Sequence, residues 1–75
     1  MTKYVKGENK FSVPAESFAV QATSEFTLNY SVNGKNWKAN DEATPANEPL
    51  VIKNAVKGLW YKLVGNTDSK TIVRY

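Results

Sequence analysis

The stretch EFTLNYSV, residues 25–32, decides the fold class, because apolar and polar side chains alternate along it without interruption. Such a period of two places successive side chains on the two opposite faces of a pleated strand. The sequence therefore predicts a half-buried β-strand over residues 25–32. Its apolar face consists of Phe26, Leu28, Tyr30 and Val32.

A turn follows this strand directly. Asn33 and Gly34 are residue types that tolerate the positive φ angles of tight hairpin turns, and Trp37 comes shortly after them. We expect a hairpin at Asn33-Gly34 that folds Trp37 back over the apolar face of the strand.

The rest of the chain offers more short strands separated by turn and loop signals. Proline cannot donate a ladder hydrogen bond, so Pro14 divides two of these strands. Residues 40–49 contain two prolines and many polar residues and predict a loop. A further turn is expected over residues 65–68. The remaining predicted strands cover residues 11–13, 17–21, 50–53, 59–64 and 71–75.

These segments predict a single all-β domain over residues 1–75. Short strands at intervals of about ten residues are typical of a sandwich or a small barrel. We expect a small Ig-like antiparallel β-sandwich or a partly open barrel of about six to seven short strands. Residues 1–10 are interpreted as a docking arm or as an edge strand.

Composition argues against catalysis and for assembly. The 75 residues include no Cys and no His, which removes thiol nucleophiles, disulfides and the commonest transition-metal ligand. A serine or threonine nucleophile would lack the usual activating base, so we predict no enzymatic activity and no cofactor. A core this small gives a thin margin of stability, which self-association or a partner can supplement.

No segment predicts a membrane span or a secretion signal. Apolar runs stay far below the ~20 residues that cross a bilayer. The N-terminus lacks the apolar region of a signal peptide. We therefore expect synthesis in the cytoplasm and no membrane partner.

Trp60 is the first candidate for an interaction surface. It is adjacent to Tyr61 on one predicted strand, so the two side chains point to opposite faces. Tyr61 shares its face with Leu59 and Leu63, which predicts that this face belongs to the core. Trp60 and Lys62 then point outward, and an exposed Trp often marks a contact surface. The alternative is that Trp60 packs against a loop of its own domain.

Trp37 is the second candidate. It could stack on a sugar ring, with Asn33, Asn36 and Asn40 nearby as hydrogen-bond partners. Turn structure explains Asn33 and Asn36 without a ligand, so packing in the core or at its rim is the favoured interpretation. Tyr4, in the N-terminal segment, completes the candidate interaction surface.

Charge is distributed unevenly. The net charge is +3, and residues 50–75 hold five cations against Asp68. Solvated lysines on outer strand faces are the favoured explanation of this excess of cations. A chain with a single Arg is poorly suited to recognise phosphates. A basic domain that binds single-stranded nucleic acid is therefore the third hypothesis. Residues 41–48 carry three acids without the spacing of a calcium loop, so no metal site is predicted.

Three segments of the chain carry a likeness to known proteins: residues 26–37 (FTLNYSVNGKNW), 42–46 (EATPA) and 58–66 (GLWYKLVGN). They resemble short β-rich virion proteins of tailed phages from gut bacteria, in particular capsid decoration and head-fibre modules. The likeness covers residues 24–75, and no residue in it has an assigned chemical role, so no site is carried over. It implies a structural protein with an Ig-like sandwich that is displayed on the virion surface.

Together these observations rank three functions. The leading hypothesis is a non-enzymatic virion protein that binds a capsid through a strand edge and the Trp60 face. A small carbohydrate-binding module with Trp37 or Trp60 as platform is second. Single-stranded nucleic acid is third.

Overall fold

The computed structural model describes residues 1–39, 42–65 and 70–75, and within them it contains eight β-strands and no helix. Part of the predicted loop and most of the predicted turn at 65–68 lie outside the described residues. The strands are β1 (Thr2–Lys6), β2 (Phe11–Ser12), β3 (Phe18–Ala22), β4 (Thr27–Ser31), β5 (Lys38–Ala39), β6 (Leu50–Ile52), β7 (Trp60–Val64) and β8 (Lys70–Arg74).

The strands form two four-stranded sheets, and all paired neighbours are antiparallel. Sheet 1 has the strand order β1-β8-β3-β6, and sheet 2 has the order β2-β7-β4-β5. This arrangement confirms the predicted antiparallel β-sandwich, with eight strands where the sequence indicated six to seven.

Alternating side chains from both sheets build the core between them. Tyr61 is part of this core, and its ring centroid lies 5.8 Å from that of Phe11 and 4.9 Å, edge-on, from that of Phe18. Edge-to-face contacts of this kind add to the burial of large apolar surfaces. The buried apolar residues are Phe11, Val13, Phe18, Val20, Ala22, Phe26, Leu28, Tyr61, Leu63 and Val73.

The deciding strand is shorter than predicted. It covers Thr27–Ser31, while Phe26 pairs with Thr44 through two backbone hydrogen bonds of 3.0 and 2.7 Å. Phe26 and Leu28 are buried as expected, but Val32 is 87% exposed, so the prediction that Val32 faces the core is wrong. The chain leaves the sheet after Ser31 and carries Val32 into the following loop.

The N-terminal segment lies within the sandwich. β1 is the outermost strand of sheet 1 and pairs with β8 along its whole length, from Thr2↔Arg74 to Lys6↔Lys70. The two chain ends extend this ladder, because the N-terminal amine of Met1 donates to the Tyr75 carbonyl and the Tyr75 N–H donates to the Met1 carbonyl.

Candidate functional site: a lysine groove and an aromatic sheet face

The outer face of sheet 2 is set by the alternation along β7. Tyr61 and Leu63 are buried, at 4% and 0% exposure, and this confirms that their face belongs to the core. Trp60 and Lys62 therefore point away from the core. Both are half-buried, so the neighbouring residues of this face determine which part of each side chain a partner could contact.

Trp60 packs against its own domain and also borders solvent. The Nζ atom of Lys10 lies 5.0 Å from the centroid of the Trp60 ring, a cation–π contact. Gly34 lies so close that a Cβ atom added to it would sit 3.4 Å from Cδ1 of Trp60. The loop after β4 thus covers part of the indole, and Lys10 approaches its ring.

Trp37 occupies the same outer face, so the prediction that it folds over the apolar face of β4 is wrong. Asn29 pairs with Ala39 of β5 and with Lys62 of β7. Trp37 lies two residues before Ala39 and keeps its orientation, away from the core. The Nζ atom of Lys62 lies 4.6 Å from the centroid of the Trp37 ring. Trp37 and Lys62 therefore form a cation–π pair on the outer face of sheet 2.

The connection between β4 and β5 explains this position. It is a six-residue loop over 32–37 and not a two-residue turn, and of Asn33 and Gly34 only Gly34 has a positive φ, 75°. The Asn33 side-chain oxygen accepts hydrogen bonds from the N–H groups of Lys35 and Asn36 at 2.8 and 2.9 Å. The N–H of Gly34 bonds to the Ser31 hydroxyl at 2.9 Å. Asn33 therefore serves the loop itself, as its turn chemistry predicts.

Asn29 carries an unusual polar atom on this face. Its side-chain oxygen Oδ1 is buried and, alone among the side-chain atoms of the described residues, is identified as buried without a hydrogen-bond partner. An unsatisfied buried acceptor lowers the stability of a fold by about 1–3 kcal/mol. The sequence showed only an alternating strand here, and nothing in the pattern distinguished Asn29 from its polar neighbours.

A groove runs along one open side of the sandwich, between β1 of sheet 1 and β2 of sheet 2. We call it the lysine groove. Lys3 crosses it, because its Nζ atom donates a 2.7 Å hydrogen bond to the Ser12 carbonyl oxygen. Tyr4, which is 76% exposed, and Trp60 both border the groove. The residues that matter for its chemistry are Lys3, Tyr4, Lys6, Lys10, Ser12 and Trp60.

The electrostatics of the groove are one-sided. None of the described strands contains Asp or Glu, whereas six of the ten cations lie on strands. No carboxylate lines the groove within the described part of the chain. Glu8 is close in sequence, but its carboxylate accepts the N–H of Gly65 at 2.8 Å. The groove is thus suited to an anionic ligand.

The four residues predicted for the interaction surface fall into two neighbouring groups. Tyr4 and Trp60 border the lysine groove, and Lys62 and Trp37 form a pair on the outer face of sheet 2. Lys3, Lys6 and Lys10 were not predicted as part of the interaction surface, although three lysines within ten residues are visible in the sequence. Asn40, one of the proposed sugar contacts, lies outside the described residues.

Across residues 1–39, 42–65 and 70–75, no three His, Cys, Asp or Glu side chains approach closely enough to hold a metal ion. Burial raises the pKa of the Tyr61 hydroxyl, but this residue belongs to the core. The described part of the chain contains no helix long and apolar enough to cross a membrane.

Comparisons of the chain with protein-family models, with curated protein sequences and with solved structures gave no match.

Proposed function

We propose that this chain is a non-enzymatic assembly protein that attaches to the surface of a larger protein assembly through the lysine groove and the Trp60 ring beside it. One observation carries the proposal. Tyr4 and Trp60 border the same groove, three lysines line it, and no carboxylate of the described residues does. Aromatic anchors surrounded by a polar rim are typical of protein contact surfaces.

The capsid of a tailed phage is the partner that the sequence resemblance suggests. A small β-domain with an outward aromatic face and a basic groove suits attachment to an acidic capsid surface, where complementary potentials accelerate and orient binding. The protein would then reside on the virion surface after synthesis in the host cytoplasm. Rigid Tyr and Trp side chains add contact area at a small cost in conformational entropy.

Co-sedimentation tests this proposal directly. The capsid shells are assembled from the major capsid protein encoded in the same genome, and the test variants are Trp60→Leu and the pair Lys6→Gln/Lys10→Gln. The matched controls are Val56→Ser, at an exposed apolar residue away from the groove, and the pair Lys53→Gln/Lys57→Gln, which removes the same charge.

We expect the groove variants to bind about tenfold more weakly than the controls, because truncated anchors dominate such losses. Circular dichroism verifies that each variant is folded. Failure of the unmodified chain to sediment with the shells would refute the proposal, as would equal losses in groove and control variants.

Single-stranded nucleic acid is the second candidate, and the combination of lysines and aromatic rings in one groove favours it. Binding to a fluorescent oligothymidylate should then weaken steeply as salt rises. A protein partner has the stronger support, because Arg is the residue best suited to bidentate contacts with phosphate and the chain contains only one.

A glycan stacked on Trp37 has less support. Lys62 already lies over the Trp37 ring at 4.6 Å, and the Asn33 oxygen is occupied within its own loop. A glycan array separates this possibility from the others. Sugar binding that Trp37→Ala abolishes would favour it over the assembly proposal.

A further inference from the structure

β1 has a free edge, and the hydrogen-bond pattern shows which of its residues face outward. The pair Met1 and Tyr75 exchanges both backbone hydrogen bonds. Hydrogen-bonded pairs alternate with non-bonded pairs along an antiparallel ladder. The register therefore directs the N–H and C=O groups of Lys3 and Val5 toward β8. The backbone groups of Thr2 and Tyr4 point away from the sheet.

Lys6 supports this orientation. It lies two residues after Tyr4, so its backbone groups should also point away from β8. Its carbonyl oxygen indeed accepts the N–H of Asn9, 3.4 Å away, outside the β1–β8 ladder. In the described part of the chain no strand pairs with β1 on the side opposite β8. Tyr4 therefore presents one free donor and one free acceptor in the lysine groove.

Resting on the proposed function, we propose that the partner inserts an extended acidic segment into the lysine groove, where it pairs with β1 as an additional strand of sheet 1. Free edge strands are templates for such addition, in which main-chain hydrogen bonds supply affinity and side-chain contacts supply specificity. The partner residue opposite Tyr4 would exchange both backbone hydrogen bonds with it.

Charge selects an acidic segment. Lys6 on β1 lies directly opposite Lys70 on β8, a like-charged pair that is unfavourable across strands. Lys3 and Lys10 add two further cations beside the edge. A carboxylate on the incoming strand would relieve this repulsion.

A second copy of the chain is disfavoured as the occupant for the same reason. Pairing β1 with another β1 would bring the lysines of both copies together, and lysines on edge strands are a common protection against such self-association. The charges of β1 thus reject the chain itself and accept an acidic partner.

The register also indicates the partner sequence. Tyr4 and Lys6 both point to the outer face of sheet 1, because Lys3 and Val5 point toward the second sheet. An antiparallel partner strand would complement both side chains if it carried Asp or Glu opposite Lys6 and, two residues later, an apolar residue opposite Tyr4.

Proline at residue 4 separates edge pairing from side-chain contact. Because the Tyr4 N–H points away from β8, Tyr4→Pro removes no hydrogen bond of the sheet, and proline is tolerated at such edge sites. Tyr4→Thr is the matched control, since it also removes the ring but keeps the N–H. Both variants must show the same unfolding midpoint before binding is compared.

We expect Tyr4→Pro to bind capsid shells about tenfold more weakly than Tyr4→Thr, and hydrogen exchange at the Tyr4 amide of the unmodified chain to slow when shells are added. Equal binding of the two variants, or unchanged exchange at Tyr4 while the unmodified chain binds, would overturn strand addition and leave the proposed function standing.

A second probe decides the inference if the shells do not bind at all, a result that would refute only the proposed function. A synthetic peptide of alternating Glu and Val is titrated while the amide signals of β1 are followed by NMR. We expect the Tyr4 amide to shift with this peptide and not with a Lys-Val peptide. An equal response to both peptides, or a stronger response to oligothymidylate, would overturn the acidic-strand inference.

Discussion

The Nζ atom of Lys3 lies 2.7 Å from the carbonyl oxygen of Ser12 and donates a hydrogen bond to it across the open side of the sandwich. Lys3 belongs to β1 of sheet 1 and Ser12 to β2 of sheet 2. This bond therefore ties together two edge strands that no backbone ladder connects. It also fixes the Lys3 ammonium in the groove to which we assign partner binding.

Removing this bond should destabilise the fold moderately. Lys3→Met keeps the apolar stem and loses the donor, so we expect the free energy of unfolding to fall by about 1 kcal/mol. Urea titration measures the change. Lys57→Met is the control, because Lys57 is exposed and its replacement removes the same charge. Equal midpoints for the two variants would show that the Lys3–Ser12 bond adds no stability.

Alanine substitutions at Gly34 and Gly58 distinguish the effect of backbone strain from the effect of contact with Trp60. Both have positive φ angles, 75° and 84°, so alanine at either site should reduce stability by about 1–2 kcal/mol. A Cβ atom at Gly34 would lie 3.2 Å from the Lys10 ammonium and 3.4 Å from Trp60, whereas nothing lies within 4 Å at Gly58.

The difference should appear in fluorescence more than in stability. The Lys10 ammonium is the end of a flexible chain and can move aside at little cost. We expect Gly34→Ala to change the tryptophan emission of the folded protein and Gly58→Ala to leave it unchanged. An identical emission spectrum for both variants would contradict the contact between the loop and Trp60.

Asn29 offers a prediction of the opposite sign. Because its buried Oδ1 atom has no partner, replacing Asn29 with valine removes an unsatisfied acceptor and adds a residue that favours strands. We expect Asn29→Val to raise the free energy of unfolding by about 1 kcal/mol. Thr27→Val, on the same face of β4, is the control and should change stability by less than about 0.5 kcal/mol. A loss of stability in Asn29→Val would show that Oδ1 is satisfied in solution.

Local alternation was enough to predict the fold class but not the sheet order. Residues 25–32 and 59–64 alternate around a buried face, and both contain strands of sheet 2. β1 was harder to recognise, because Lys3 turns its charged end toward Ser12 at the sheet edge and so breaks the amphipathic pattern. β5 contains only two residues, which is too short for any period to show.

The candidate site was predictable only where it depends on a single strand. Trp60 points outward because Tyr61 and Leu63 are buried on the same strand. The face that Trp37 occupies depends on the length of the loop before it, and a shift of one residue moves a side chain to the other face. The groove joins Tyr4 to Trp60, residues far apart in the chain, and depends on a pairing order that local patterns do not contain.

Tyr61 predicts how the fold responds to alkaline pH. Burial raises the pKa of the Tyr61 hydroxyl above its ordinary value of about 10. Between the ordinary and the raised pKa, the unfolded chain releases this proton while the folded chain retains it, so rising pH favours unfolding. The stabilising contribution is complete below the ordinary pKa and is lost as pH rises through the folded pKa.

Tyr61→Phe removes this proton, so its alkaline unfolding, followed by circular dichroism, should shift to higher pH. Tyr4→Phe, at an exposed tyrosine, should unfold like the unmodified protein, and an equal shift in both variants would contradict the role of burial.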